Sequence, residues 1–154
     1  MLKDFIHKYI DLIDKCQFDE LYTKAAWELS GSETGKLTSI LLSIGVDPMN
    51  HYAKELKYKI PYFYMAGMTP HSDVHIPEGY TDIGTGAFKG TNVDKIFLPE
   101  SLEMIGNSCF SRIGGTMKVI LPKKIPTLEN ANSISKYSVE LYYFGTKEEL
   151  AEQI

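Results

Sequence analysis

Between Leu2 and Cys16 the apolar positions Leu2, Phe5, Ile6, Tyr9, Ile10, Leu12, Ile13 and Cys16 recur every three or four residues, which predicts an amphipathic helix. Phe18 leads into Asp19, an N-cap by residue type, and "ELYTKAAWEL" predicts a second helix with Leu21, Tyr22, Ala25, Trp27 and Leu29 available for packing. That helix is expected to end at "SGSETG", and Trp27 to be mostly buried. A third helix, "KLTSILLSI", packs through Leu37, Ile40, Leu41 and Ile44 and stops at Gly45, a left-handed C-cap position. In "VDPMNHYAKEL", Asp47 caps and Pro48 takes the first helical position, where its missing N–H costs nothing. A short fifth turn begins at Pro61 in "IPYFYMAG". These elements define a helical domain over residues 1–68, with Trp27 and "YFYM" at 62–65 as its seam with the C-terminal half of the chain.

Beyond residue 70 the helical period gives way to a longer one. Ile76, Pro77, Ile83, Gly84, Ala87 and Phe88 recur as Leu98, Pro99, Ile105, Gly106, Cys109 and Phe110, each 22 residues later. A third copy, "VILPKKIPTLENANSIS", keeps Leu121, Pro122 and Leu128 at a spacing of 23 but loses the glycine and the phenylalanine. A period in the low twenties that repeats a strand, a turn and a buried aromatic predicts a solenoid, in which each coil covers the apolar side of the next. Phe88 and Phe110 then stack inside it, Ile83, Ile105 and Leu128 form a second ladder, and Gly84 and Gly106 sit at corners whose backbone suits glycine. In the strands "VHIP", "IFLP" and "VILP", Val74 with Ile76, Ile96 with Leu98 and Val119 with Leu121 face inward. His75, Phe97 and Ile120 face outward, continued by Glu140 or Tyr142 in "VELYYF". The row His75, Phe97, Ile120, Tyr142 is the candidate partner-binding surface, unless the N-terminal helices fold back over it.

The copies "IPEGYTDIGTGAFKGTNVDK" and "LPESLEMIGNSCFSRIGG" resemble the leucine-rich repeats of bacterial BspA-type proteins, whose unit reads strand, Pro, a few polar residues, Ile-Gly, two variable residues, Ala-Phe. The closing "LYYFGTKEEL" is similar to the tail that often ends such arrays. The resemblance covers residues 72–154 and implies an α+β chain. Its helical domain would be followed, over residues 69–154, by a leucine-rich-repeat solenoid of two to three coils with a C-terminal capping strand and helix. The combination is similar to small proteins of phages and mobile elements of Gram-positive bacteria. That implies a non-catalytic protein-binding module, an inhibitor of a host or defence protein such as a nuclease complex, in an anti-CRISPR-type role.

Composition narrows the chemistry. With 44% hydrophobic and 23% charged residues the chain has the make-up of a soluble globular protein. A net charge of −4, with Lys123 and Lys124 the one adjacent Lys/Arg pair, argues against nucleic acid as partner. The first 16 residues alternate charged and apolar positions and so predict neither a signal peptide nor a membrane span, which leads to the expectation of a cytoplasmic protein with another protein as its partner. "IGTGAFKGT" is not a phosphate loop, because Lys89 precedes Gly90 instead of following it. Two distant cysteines make neither a disulfide framework nor a metal knuckle, and Cys109, in the place of Ala87, is expected to be a shielded thiol of raised pKa. His7 and His51 have no partner at a useful spacing. In "HSDVH" an extended backbone would put His71, Asp73 and His75 on one face as zinc ligands, which sets up the alternative reading of a metal-dependent enzyme. No cofactor is expected.

Overall fold

A computed structural model of the chain describes residues 2–49, 58–67, 73–112, 115–130, 132–135, 137–143 and 145–153. The expected first helix is two, α1 (Leu2–Lys8) and α2 (Ile10–Asp14), separated at Tyr9. Helix α3 (Phe18–Glu28) buries Phe18, Leu21, Tyr22 and Ala25, the face that the three–four spacing requires. It begins one residue ahead of Asp19. Gln17 holds the N-cap position without a side-chain bond, which leaves Asp19 in the first turn, where its charge meets the helix dipole.

The stretch "SGSETG", expected to end a helix, starts one. Ser30 Oγ accepts the Glu33 N–H at 3.2 Å and a Glu33 carboxylate oxygen accepts the Ser30 N–H at 3.0 Å, a capping box that opens α4 (Gly31–Ser43). Gly45 closes it at φ +85°, as the sequence implied. Pro48 and Met49 open a further helical turn, and the remainder of the helix expected there lies outside the described residues. Trp27 departs from expectation most: it is 86% exposed. Two residues past Ala25 it stands more than half a turn around α3 from the buried face, so helical geometry turns it outward.

The described residues beyond these are built from short parallel strands: β1 (Tyr58–Ile60), β2 (Val74–His75), β3 (Tyr80–Ile83), β4 (Phe88–Thr91), β5 (Lys95–Phe97), β6 (Met104–Ile105), β7 (Phe110–Arg112), β8 (Met117–Leu121), β9 (Thr127–Leu128) and β10 (Val139–Tyr143), followed by α5 (Lys147–Ala151). They form three sheets, β1-β3-β6-β9, β2-β5-β8-β10 and β4-β7. Ile60, Ile83, Ile105 and Leu128 align across the first, and Phe88 lies opposite Phe110 in the third with ring centroids 5.8 Å apart. The third copy keeps this interior by other means: Phe110 bridges to Ile134, and Ser133, fully buried, takes the place of Cys109.

The repeat reaches further back than the expected start at residue 69. Ile60 pairs with Ile83, and the N–H groups of Phe63, Met65 and Gly67 donate to the carbonyls of Thr85, Ala87 and Lys89. "IPYFYM" thus lies in register with "IGTGAF", and the helical turn expected from Pro61 is a coil corner. The corner glycines also play a different part from the one anticipated. Gly84 and Gly106 are not in the left-handed region; a Cβ at either would sit 2.7 Å from the carbonyl oxygen of Ile60 or Ile83 in the preceding coil. Close backbone approach is what excludes a side chain there. The left-handed residue lies two positions on, at Phe63 (φ 57°), Gly86 (φ 68°) and Ser108 (φ 52°), stacked coil upon coil.

Helices and coils share one hydrophobic core. Helix α4 lies against the first coil closely enough that a Cβ on Gly35 would fall 1.8 Å from the Ala66 carbonyl oxygen and one on Gly31 would fall 2.8 Å from the Phe63 ring. The Tyr22 and Tyr64 rings meet at 5.5 Å, the Tyr22 hydroxyl bonds to Thr38 Oγ1, the Met49 N–H donates to Tyr64 Oη at 3.3 Å, and the Tyr80 hydroxyl donates to the Met49 carbonyl at 2.5 Å. Burial raises the pKa of both the Tyr22 and Tyr64 phenols.

Candidate functional site

The sheet β2-β5-β8-β10 sends alternate residues inward and outward. Val74, Ile96 and Val119 are buried in register, and the intervening positions His75, Phe97, Ile120 and Tyr142 align across the four strands on the outer face. His75 and Tyr142 are exposed, Phe97 and Ile120 half-buried. The helices occupy the end of the solenoid at the first coil, so among the described residues nothing covers this row. His75 stacks on Phe97 with ring centroids 4.2 Å apart and planes 3° from parallel.

A second row runs beside it on the same face: Lys95, Lys118 and Glu140, each two residues ahead of a member of the first. Lys118 Nζ lies 5.7 Å from the Tyr142 ring centroid, and the Tyr142 hydroxyl donates to Glu140 Oε2 at 2.9 Å. That hydrogen bond to a carboxylate raises the Tyr142 pKa. Lys95, Phe97, Lys118, Ile120 and Tyr142 together surround a shallow depression of about 180 Å³, about the size of one large side chain. The arrangement is mainly apolar and aromatic along one line and charged along the next, with two lysines and then Glu140. Parallel strand pairing holds the spacing fixed.

Among the described residues the other chemistry considered from the sequence does not assemble. His71 lies outside the described residues, and among the described residues no group of three or more His, Cys, Asp or Glu is placed to hold a metal ion. Cys109 is buried, its thiol donates to the Gly84 carbonyl at 3.1 Å, and burial pushes its pKa up to about 12, so it is no nucleophile near neutral pH. His7 is exposed on α1, and His51 lies outside the described residues. No described helix is long and apolar enough to cross a membrane.

A second concavity, which periodicity alone does not reveal, lies between α3 and the coils. It measures about 580 Å³ and is lined from α3 by Asp19, Tyr22, Thr23, Ala26 and Trp27, and from the coils by Lys59, Tyr62, Asp82, Gly84, Gly106 and Glu129, among others. The outward turn of Trp27 creates one of its walls.

The profile of the BspA type leucine rich repeat region matches residues 57–146 in six copies, more than half of the 154-residue chain. The chain belongs to this family. The match begins one residue ahead of β1, one coil earlier than the 22-residue period shows, and repeats of this type point to a protein-interaction module. No curated protein and no solved structure matches the chain.

Proposed function

We propose that the chain is a non-catalytic protein-binding module that captures its partner on the row His75, Phe97, Ile120 and Tyr142. The observation that carries this reading is the pair Phe97 and Ile120, large, half-buried apolar side chains held side by side in register on a sheet face that no described element covers. Single exposed hydrophobes are ordinary on protein surfaces, whereas an aligned row rimmed by polar groups has the character of an interface core. Such a row supplies anchoring contacts, and Lys95 and Lys118 alongside favour a partner that carries carboxylates next to its own apolar anchor. The likeness to small phage and mobile-element proteins supports a host or defence protein as that partner, inhibited by capture.

The test uses Phe97→Ser and Ile120→Ser, singly and together, in affinity capture from the native cellular background followed by identification of the bound proteins. A binding row loses its specific partner in the double variant while the melting temperature holds. A double variant that retains the same partner at the same yield removes the row from the interface.

A further inference from the structure

The groove between α3 and the coils joins three features in one place. Its walls include two aromatic rings left to solvent, Trp27 at 86% and Tyr62 at 57% exposure. Among the described residues its lining carries three carboxylates, Asp19, Asp82 and Glu129, against one cation, Lys59. Its floor at Gly84 and Gly106 has no side chains, because the coils approach too closely there to admit them. Among the described lining residues the net charge is therefore −2, and Lys59 offsets it weakly, since its nearest described carboxylate oxygen, on Asp82, is 4.0 Å away and the lysine is largely solvated.

We propose that this groove binds an arginine-bearing extended segment of a partner protein, with the guanidinium held between the Trp27 and Tyr62 rings and over Asp82 and Glu129. A planar cation suits the site on both counts. Aromatic faces attract it through their quadrupole, and it can donate in a fork to carboxylates below. The glycine floor leaves room for a main chain to lie along the groove. Glu129 Oε2 already accepts the Asn107 N–H at 2.6 Å, which holds that carboxylate in place; an apolar segment would desolvate these charges without adding a cation, and an acidic one would be repelled. The surface is separate from the outer strand row, so the two sites stand or fall independently.

Trp27 is the sole tryptophan of the chain, which makes its emission a direct reporter. The experiment titrates the full chain, at physiological ionic strength, with a short glycine-flanked diarginine peptide and with the same peptide bearing citrulline in place of arginine. Saturable change in Trp27 emission with the arginine peptide and none with the citrulline peptide is expected. Asp82→Asn and Tyr62→Ala should each weaken binding by about tenfold. Trp27→Ala, which removes the reporter, should abolish calorimetric binding while leaving the melting temperature within a degree or two, as an exposed site requires. Phe97→Ser with Ile120→Ser should leave the peptide affinity unchanged. Absence of a saturable signal, an equal response to the citrulline peptide, or full affinity in both Asp82→Asn and Tyr62→Ala overturns the proposal. So does an emission change that depends on protein concentration in step with self-association by sedimentation, which would give the groove to a second copy of the chain.

Discussion

Gly35 sits in the middle of α4, where alanine is the better helix former by about 1 kcal/mol. Gly35→Ala therefore stabilises the helix taken by itself, and any net loss reports what the helix rests on. The added Cβ would fall 1.8 Å from the Ala66 carbonyl oxygen and 2.9 Å from its carbonyl carbon. A carbon and a carbonyl oxygen settle no closer than about 3.3 Å, so α4 and the first coil must part by about 1.5 Å along that line. The opposing atoms are backbone and cannot rotate aside as a side chain would. Parting the two also loosens the seal made by Tyr22, Tyr64 and Thr38 behind them. Overpacking typically costs about 1–3 kcal/mol, and the gap forfeits dispersion contacts as well, so after the helix gain the net loss should be about 2 kcal/mol. Urea denaturation followed by far-ultraviolet circular dichroism measures it. Gly45→Ala is the control, because that glycine has φ +85° with nothing within 4 Å of its would-be Cβ, and it should lose only the backbone strain of about 1 kcal/mol. A Gly35→Ala protein as stable as the parent, beside a weakened Gly45→Ala, would refute the docking of α4 on the first coil.

Phe110→Ala, which removes a ring stacked between Phe88 and Ile134, should cost about 3–5 kcal/mol and lower one cooperative transition, since the coils share a core with the helices; a second, separately shifted transition in the same melt would contradict that. Iodoacetamide near neutral pH should modify half-buried Cys16 and spare Cys109 until the protein unfolds, as read by mass spectrometry of digested samples. Because burial raises the folded Cys109 pKa from about 9 to about 12, the unfolded thiol loses its proton first, and the stability due to the neutral thiol is present below pH 9 and declines as pH rises towards 12. Cys109→Ala should flatten that alkaline decline, and an unchanged slope would show that the thiol is not desolvated.

The solenoid was legible wherever successive coils impose one environment on equivalent residues. Ile83 and Ile105, or Phe88 and Phe110, are neighbours in space as well as in the repeat, so they share size and polarity. The first coil escaped because Pro61 stands where Gly84 would and Met65 where Phe88 would; both satisfy the packing without preserving the letters. The outward row was equally legible, since strand alternation fixes which side chains share a face, and register does the rest. Helix α4 was half legible. Ser30 and Glu33 spell a capping box, but Gly31 and Gly35 weaken the helical signal, and only the nearness of the Phe63 ring to the one and of the Ala66 backbone to the other explains why glycine stands there. Trp27 shows a different limit: periodicity locates the centre of a buried face, not its angular width, and in α3 the core stops short of that residue. The groove beside it depends on how a helix sits on coils far along the chain, which no local pattern encodes.

The two ends of the solenoid are closed by different physics, and this bears on how the outer row can work. At the first coil, α3 and α4 complete a core of aromatic and aliphatic side chains. At the last, the inward ladders run out into Leu128 and Leu141, which remain 43% and 51% exposed. What holds that end is largely polar. Gln153 on the segment after α5 donates to the Lys123 carbonyl at 2.6 Å and accepts from the Ile125 N–H at 2.6 Å, while the Tyr143 hydroxyl donates to the same Lys123 carbonyl at 2.8 Å. Bonds of this kind, exposed to water, contribute less than buried apolar surface. Phe97 and Ile120 therefore stand on strands backed by fully buried Ile96 and Val119, whereas Tyr142 stands on a strand whose inward neighbour Leu141 is half in solvent. A row built this way has a stiff centre and a softer end. On the proposed reading the stiff pair is the part of the row that would fix a partner in place, with Tyr142, bonded to Glu140 and beside Lys118, at its less supported edge.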